Sequence, residues 1–138
     1  YFVPFGKVKT VKAGKDAAII TYGYSVVTAT KAAQALEAEG ISVEVIDLRT
    51  LYPIDQDAID AAVTKFGRVV VLDEAPLFGS ITAEIAATAS ERNFKSLKGP
   101  IVRVGAVRAP LSANPAMSEA AIPSVDQISK AVKQVMSY

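Results

Sequence analysis

Val43-Glu-Val-Ile-Asp-Leu-Arg-Thr-Leu-Tyr-Pro-Ile-Asp55 is the stretch of this chain that decides its fold. An apolar, β-branched run gives way to charged residues and then, within a few positions, to a helix start. This order predicts a strand that feeds a functional loop, because ligands and partners of open α/β sheets meet the carboxyl ends of the strands. Asp47 closes the predicted strand, and Arg49, Thr50 and Tyr52 follow it.

Short apolar runs alternate with helical segments along the rest of the chain. Four runs have strand length and are continuous rather than alternating, as expected of strands covered on both faces; they are residues 17–22, 43–46, 69–72 and 101–104. Helical spacing and cap residues predict helices over residues 25–39 and from Asp55, from Gly79-Ser80 and from Ser124. The pattern predicts a three-layer α/β/α domain with a mostly parallel sheet and right-handed crossovers.

Three segments add detail to this pattern. Residues 7–12 alternate lysine with apolar side chains, which predicts an edge strand protected by charge. Residues 105–123 contain three prolines and little periodicity, so we expect an ordered excursion across the surface. The helix that Gly79-Ser80 opens is expected to approach the sheet through its alanines, which are Ala83, Ala86, Ala87 and Ala89.

Composition excludes several classes of chemistry. The 138 residues contain no His and no Cys, which removes the commonest general base, the thiolate nucleophile and the nitrogen and sulfur ligands of zinc. The formal net charge is +1, from 15 basic and 14 acidic residues without a block of like charge, which argues against a nucleic-acid partner. We expect one domain over residues 1–138, with no catalytic group or metal site of its own.

The chain carries no targeting or membrane signal. No apolar run approaches the ~20 residues that span a bilayer, and no charged-then-apolar leader opens the sequence. We expect a soluble protein without a membrane partner, cytoplasmic or, in a eukaryote, in the mitochondrial matrix. Residues 1–6 lack a methionine and read as a linker, which would suit a piece cut from a longer polypeptide.

The acidic pair Asp73-Glu74 follows an apolar run, as the magnesium-binding acids of P-loop ATPases do. No Gly-rich loop ending in Gly-Lys-Ser/Thr accompanies it, so we reject a nucleotide hydrolase. A phospho-accepting aspartate of a receiver-like module would need a lysine at the end of a later strand, where Arg103 stands. We therefore interpret the pair as strand-end acids that complete local hydrogen bonds.

Arg49 is the strongest candidate for a binding residue. Its planar guanidinium fits a carboxylate or phosphate and keeps its charge at any ordinary pH. The alternative is that Arg49 pairs with Asp47 or Asp55 and only shapes its loop. A second candidate anion site is the helix start at Gly79-Ser80, where free backbone N–H groups favour negative charge.

Three segments in this order carry a resemblance to a known family. Residues 46–55, 71–76 and 83–86 read Ile-Asp-Leu-Arg-Thr-Leu-Tyr-Pro-Ile-Asp, Val-Leu-Asp-Glu-Ala-Pro and Ala-Glu-Ile-Ala. They resemble the C-terminal domain of the transketolase-like thiamine diphosphate enzymes. The chain is most similar to the β subunit of the decarboxylating component of 2-oxo acid dehydrogenase complexes, pyruvate dehydrogenase especially, and the resemblance covers nearly its whole length.

The resemblance implies a five-stranded mixed sheet whose first strand is antiparallel. It implies that thiamine diphosphate and magnesium are bound by other parts of the full enzyme, since the family's Gly-Asp-Gly metal motif is absent here. It further implies pairing with a second β subunit, contact with an α subunit, and docking of the subunit-binding domain of a dihydrolipoyl acyltransferase. By similarity to deoxyxylulose-phosphate synthases, Arg49, with Thr50 and Tyr52, would contact an anion or line the active-site entrance.

The resemblance also places a subunit or partner interface, which we expect at Asp73, Glu74, Gly79, Ser80 and Tyr138. Two of these positions depart from the family's pattern. Asp73 stands where the family usually has a histidine, so any role of that histidine is lost or replaced. Ser80 stands at a position that is often glycine.

Two further departures bear on the acyltransferase. Lys98 and Arg108 stand where members that dock this partner often carry acidic residues. A basic partner attracted to carboxylates would meet repulsion there. We therefore expect Tyr138, with its terminal carboxylate, to be the remaining contact.

These observations leave three functional hypotheses open. The first is a non-catalytic assembly domain of a pyruvate or other 2-oxo acid dehydrogenase β subunit, active as an oxidoreductase only in the full assembly. The second is the β subunit of an acetoin dehydrogenase or of a deoxyxylulose-phosphate synthase-like enzyme. The third is a stand-alone α/β module that holds a small anion.

Overall fold

The computed structural model describes residues 2–138, and Tyr1 lies outside the described residues. The elements follow one another as β1 (Lys9–Lys12), β2 (Ala17–Thr21), α1 (Ser25–Ala38), β3 (Val43–Asp47), α2 (Gln56–Phe66), β4 (Val69–Pro76), α3 (Ile81–Asn93), a 3-10 turn (Phe94–Ser96), β5 (Val102–Ala106), α4 (Pro115–Ala121) and α5 (Val125–Met136). The expected linker, residues 1–6, is described only over residues 2–6, which contain no helix or strand.

The five strands form one mixed sheet in the order β1-β3-β2-β4-β5. β2 runs parallel to β3 on one side and to β4 on the other, and β5 continues the parallel set beyond β4. β1 is antiparallel to β3 at the edge, which confirms the predicted topology and the lysine-bearing edge strand. Because the chain leaves β2 first towards β3 and later returns to β4, its connectivity reverses between β2 and β4.

Helices cover both faces of the sheet, as the continuous apolar strands predicted. On one face α1 and α5 pack on side chains of β2, β3 and β4, among them Ile19, Val45 and Leu72. On the other face α2 and α3 pack on the alternate side chains of the same strands, among them Ile20 and Val71. Two separate cores therefore fix the three-layer α/β/α architecture, and burial of their apolar surface is its main stabilising term.

The predicted helix starts at Asp55 and Ser124 are confirmed. Asp55 accepts a hydrogen bond from the backbone N–H of Ala58 at 3.3 Å and so caps α2. Ser124 and Gln127 form a reciprocal capping box at the start of α5. Each bond satisfies a backbone group that the first turn of a helix leaves without a partner.

The structure corrects the prediction for β4. This strand runs four residues beyond the predicted end at residue 72 and reaches Pro76. Asp73 therefore lies inside the strand and is 2% exposed, rather than standing at a strand end. Its carboxylate accepts a hydrogen bond from the backbone N–H of Ala75 at 3.1 Å, and Pro76 pairs with Ala106 of β5 after a shift in register. The ladder between β4 and β5 is irregular between Leu72 and Pro76, and this part of the strand carries polar residues that the apolar pattern excluded.

Two further expectations need correction. The excursion over residues 105–123 contains the helix α4, which Asn114 caps and Pro115 opens. α4 has no buried residue, so it left no apolar periodicity in the sequence. In α3 only Ala89 of the four expected alanines is buried, because the helix turns a stripe of Thr82, Ile85 and Ala89 towards the sheet.

Candidate functional site

The carboxyl ends of the parallel strands bring several polar side chains to one edge of the sheet. Tyr22 follows β2, Asp47 ends β3, and Asp73 lies in the last part of β4. These ends flank the point where the connectivity reverses, which is where open α/β sheets usually bind ligands. Two cavities occur at this edge, one beside Arg49 and one between Tyr22 and Asp73.

The loop after β3 is organised around Asp47. One carboxylate oxygen of Asp47 accepts a hydrogen bond from the backbone N–H of Arg49 at 3.0 Å, and the other lies 3.7 Å from Nε of Arg49. Arg49 adopts a left-handed backbone conformation with φ of 61°, which is uncommon for a residue other than glycine. The ion pair with Asp47 is thus present, whereas Asp55 faces Lys7 at 3.6 Å.

Thr50 ties this loop to the start of the chain. Its hydroxyl donates to the carbonyl oxygen of Pro53 at 2.9 Å and accepts a hydrogen bond from the backbone N–H of Gly6 at 3.0 Å. Tyr52 is 96% exposed. Thr50 therefore fixes the loop, while the Tyr52 ring is exposed to solvent.

Arg49 borders a shallow cleft of about 250 Å³, which we call the Arg49 cleft. The cleft is lined by Phe2, Val3, Pro4, Lys7, Val8, Lys9 and Arg49. Its described lining includes three cationic side chains and no acidic one, and two of these cations pair with carboxylates outside the lining, Lys7 with Asp55 and Arg49 with Asp47. Lys7 and Lys9 were not identified from the sequence as neighbours of Arg49; the antiparallel pairing of Lys9 with Asp47 is what brings them there.

The second cavity lies between β2, β4 and β5 and measures about 340 Å³; we call it the switch-point cavity. It is lined by Tyr22, Asp73, Glu74, Ala75, Pro76, Ala106, Val107, Ala109 and Leu111. Oδ2 of Asp73 is buried and has no hydrogen-bond partner within residues 2–138. Burial raises the pKa of Tyr22, and the neighbouring Asp73 carboxylate and the charge of Glu74 raise it further, so this phenol stays protonated.

The expected interface residues at the start of α3 lie on the surface. Gly79 is exposed and has φ of 70°, a conformation that glycine adopts without strain. The Ser80 hydroxyl donates to the carbonyl oxygen of Leu77 at 3.2 Å and contacts the Thr82 hydroxyl. Ser80 does not cap α3 through its side chain, so the segment is ordered by contacts within its own turn.

The remaining expected contacts are spread over both ends of β5. Lys98 precedes the strand and, with Phe94 and Lys95, lines an open groove. Arg108 follows the strand, and its guanidinium carbon lies 4.4 Å from the centre of the Phe78 ring. Tyr138 is 54% exposed, and its carbonyl oxygen accepts a hydrogen bond from Nη2 of Arg68 at 3.3 Å.

Residues 2–138 show neither a metal-binding cluster nor a membrane-spanning helix. Within this range no group of three or more His, Cys, Asp or Glu side chains is placed to hold a metal ion. No helix in the same range is both long and apolar enough to cross a bilayer.

The layers and the strand order define a three-layer α/β domain with polar side chains at the carboxyl edge of its sheet. A family model described as "Transketolase, C-terminal domain" matches residues 6–128. The chain belongs to the transketolase C-terminal domain family. This result confirms the family that the three sequence segments predicted.

Relatives with curated names are β subunits of oxidoreductases. The chain is 40% identical over 136 residues to the acetoin:2,6-dichlorophenolindophenol oxidoreductase β subunit of Cupriavidus necator; the match covers 99% of this chain and 40% of the relative. It is 50% identical over 106 residues to the pyruvate dehydrogenase E1 component β subunit of Staphylococcus aureus; that match covers 77% of this chain and 33% of the relative. The chain thus spans well under half the length of these relatives.

Solved structures share the fold. A split-gene transketolase, described as an inactive β4 tetramer, matches 98% of this chain and 44% of its own with a TM-score of 0.83 and 28% identity. The 2-oxoglutarate:ferredoxin oxidoreductase of Magnetococcus marinus matches 94% of this chain and 19% of its own with a TM-score of 0.60. Its sequence identity of 19% limits that likeness to the fold.

Proposed function

We propose that this chain is the assembly domain of a β subunit in a thiamine diphosphate-dependent 2-oxo acid dehydrogenase, of the pyruvate dehydrogenase type. The observation that carries the proposal is the 50% identity to a pyruvate dehydrogenase E1 β subunit within a matched C-terminal domain family. The chain has neither His nor Cys, which agrees with a domain that supports chemistry performed elsewhere.

A second candidate is the β subunit of an acetoin-cleaving enzyme. It is favoured by the extent of the match to the Cupriavidus necator subunit, which takes in 99% of this chain. Both candidates give the domain the same role and differ in the substrate of the full enzyme. Selection of that substrate would fall to the other domains.

The exposed apolar side chains at the carboxyl edge support a role in pairing β subunits. Phe78 is 78% exposed, Leu111 62% and Met117 63%. Large apolar side chains that gather on one surface usually mark an interaction site. Arg108 stacks on Phe78 and would add a polar rim to this interface. Glu74, Gly79 and Ser80 lie in or near the same edge and belong to the proposal as rim residues, whereas Asp73 lies buried behind them.

The Arg49 cleft is proposed to face the active-site entrance of the assembly. Its three cations would draw a 2-oxo acid carboxylate towards the channel. The ion pair with Asp47 would orient the guanidinium, and the hydrogen bonds of the Arg49 backbone N–H and of Thr50 would hold the loop. Tyr52 would contribute its exposed ring to the wall of the entrance.

Thiamine diphosphate and magnesium would be held by the other domains and by the α subunit. The described residues offer no cluster of carboxylates for Mg²⁺, and the lining of the Arg49 cleft contains no acidic residue. We therefore assign this chain no step of the cofactor's chemistry. Its own contribution is to bind, orient and assemble.

The proposal extends to docking of an acyltransferase, away from two basic side chains. Lys98 and Arg108 lie at opposite ends of β5, and both carry a charge that a basic module would avoid. Tyr138, which packs against Gly99, is the contact that we retain.

The gene sequence upstream of this chain distinguishes two hypotheses, an assembly domain and a stand-alone anion-binding module. The assembly domain requires a pyrimidine-binding domain encoded upstream of residue 1. Calorimetric titration of the isolated chain with thiamine diphosphate and Mg²⁺ should give no saturable heat. An upstream frame without such a domain, or saturable binding by the isolated chain, would overturn the proposal.

A further inference from the structure

The switch-point cavity has the position and size of a small-molecule site. Tyr22 follows β2, Asp73 lies in β4 and Ala106 ends β5, and all three line the cavity where the connectivity of the sheet reverses. Crevices at this point are the usual ligand position in open α/β sheets. The volume of about 340 Å³ lies within the range of roughly 300 to 1,000 Å³ found for such sites.

Asp73 supplies a buried charge that the fold only half satisfies. The residue is 2% exposed, and one carboxylate oxygen accepts a hydrogen bond from the backbone N–H of Ala75 at 3.1 Å. Its Oδ2 is buried and has no partner at ordinary hydrogen-bond distance within residues 2–138; the Tyr22 hydroxyl is the donor that interacts with this carboxylate. A desolvated carboxylate is costly unless a donor, and best a cationic donor, reaches it.

The lining of the cavity selects the charge and shape of its ligand. Of the nine described residues that line it, two are acidic and none is basic, so the cavity repels anions. Six of the others are apolar and form a wall that ends at Val107 and Leu111. The remaining residue, Tyr22, adds a hydroxyl that can both donate and accept. This arrangement suits a cation that carries several N–H donors on a short hydrocarbon body.

We propose that the switch-point cavity binds a small primary ammonium compound, whose N–H groups donate to Oδ2 of Asp73 and to the Tyr22 hydroxyl. The carbon body packs against Val107 and Leu111. An ammonium has three donors, so the third remains for Glu74 or solvent at the mouth of the cavity. The site differs from the Arg49 cleft in position and in the sign of its charge.

The test is a titration of the ¹⁵N-labelled 138-residue chain, followed by NMR, with n-butylammonium chloride as the probe. The expected result is saturable shifts of the amides of Tyr22, Ala75, Ala106 and Val107. Sodium chloride at equal ionic strength should leave these signals in place. 1-Butanol has the same body without the charge, and it should bind at least tenfold more weakly, as expected for loss of a charge-assisted hydrogen bond.

Substitutions test whether n-butylammonium binds at Asp73. Asp73→Asn keeps the shape and removes the charge, and it should weaken n-butylammonium binding at least tenfold. Glu91→Gln removes an exposed carboxylate from the outer face of α3 and should bind as the parent does. If Asp73→Asn fails to fold, Tyr22→Phe and the comparison with 1-butanol decide the question, since Tyr22→Phe should also weaken binding. Equal binding of 1-butanol, unsaturable shifts, or unchanged binding by both variants would overturn the proposal.

Discussion

Oδ2 of Asp55 accepts a hydrogen bond from the backbone N–H of Val8 at 3.2 Å, although the two residues are 47 positions apart. The other oxygen of the same carboxylate accepts from the backbone N–H of Ala58 and caps α2. Asp55 is 7% exposed. One side chain therefore both starts a helix and holds the segment that leads into the edge strand.

Asp55→Ala should destabilise the chain by about 2 to 4 kcal/mol, because it removes a helix cap and leaves the N–H of Val8 without its partner. Urea unfolding followed by circular dichroism measures the change. The matched control is Asp57→Ala, which removes an exposed carboxylate from the first turn of the same helix. Equal losses in the two variants would show that the double role of Asp55 is unimportant.

Asp60 should make the stability of the chain depend on pH. Burial alone would raise the pKa of Asp60, but hydrogen bonds from Gln56, Arg92 and Asn93 and the charge of Arg92 lower it overall. A carboxyl group whose pKa is lowered by folding stabilises the native state above its unfolded pKa, which is about 4. That contribution is lost as the pH falls through the folded pKa.

Asp60→Asn should therefore lower the melting temperature at pH 7. The difference in melting temperature between parent and variant should shrink progressively below about pH 4. Thermal unfolding across this range measures the difference between parent and variant. Asp57→Asn, which removes an exposed acid from the same helix, is the matched control. A melting-temperature difference that grows on acidification would contradict the lowered pKa of Asp60.

Leu72→Asp should unfold the domain. Leu72 is fully buried in a central strand, where an unpaired carboxylate costs more than about 4 kcal/mol. Leu111→Asp makes the same exchange at a side chain that is 62% exposed and should leave the fold intact. A soluble Leu72→Asp variant that melts cooperatively at the parent's temperature would contradict the position of β4 in the core.

Arg49→Ala should change the stability of the chain by less than about 1 kcal/mol, because its ion pair with Asp47 is partly exposed. In the reconstituted enzyme it should raise KM for the 2-oxo acid roughly tenfold, which corresponds to one lost charge-assisted hydrogen bond. Steady-state kinetics measure the effect. Lys31→Ala, a change of charge on the exposed face of α1, is the control. An unchanged KM would restrict Arg49 to shaping its loop.

Much of the fold could be predicted because the apolar runs and helix-cap residues of the sequence agree with the strands and helices of the structure. The strands are continuous β-branched runs, and Ser124 and Gln127 stand at capping-box spacing. The end of β4 and the whole of α4 were missed for a shared reason. Asp73 and Glu74 are polar residues within a strand, and α4 buries no side chain, so neither leaves the apolar pattern on which the predictions depend.

The candidate site was harder to predict because it depends on strand register. Ile20 pairs with Val71 in the parallel ladder, and two further residues along each strand bring Tyr22 beside Asp73. Similarly, only the antiparallel register of β1 places Lys9 beside Asp47 and so near Arg49. The position of Arg49 just beyond a strand could be predicted, but its neighbours could not.

The most direct test of the assembly role is a chimera. Residues 6–128 of this chain would replace the matching part of the Staphylococcus aureus pyruvate dehydrogenase β subunit. The chimera would be mixed with the α subunit, thiamine diphosphate and Mg²⁺, and its pyruvate-dependent reduction of dichlorophenolindophenol would be measured. The account predicts that the chimera assembles with the α subunit and turns over pyruvate within about tenfold of the parent, a loss of at most ~1.4 kcal/mol. A chimera that does not assemble, or that assembles and shows no turnover, would contradict it.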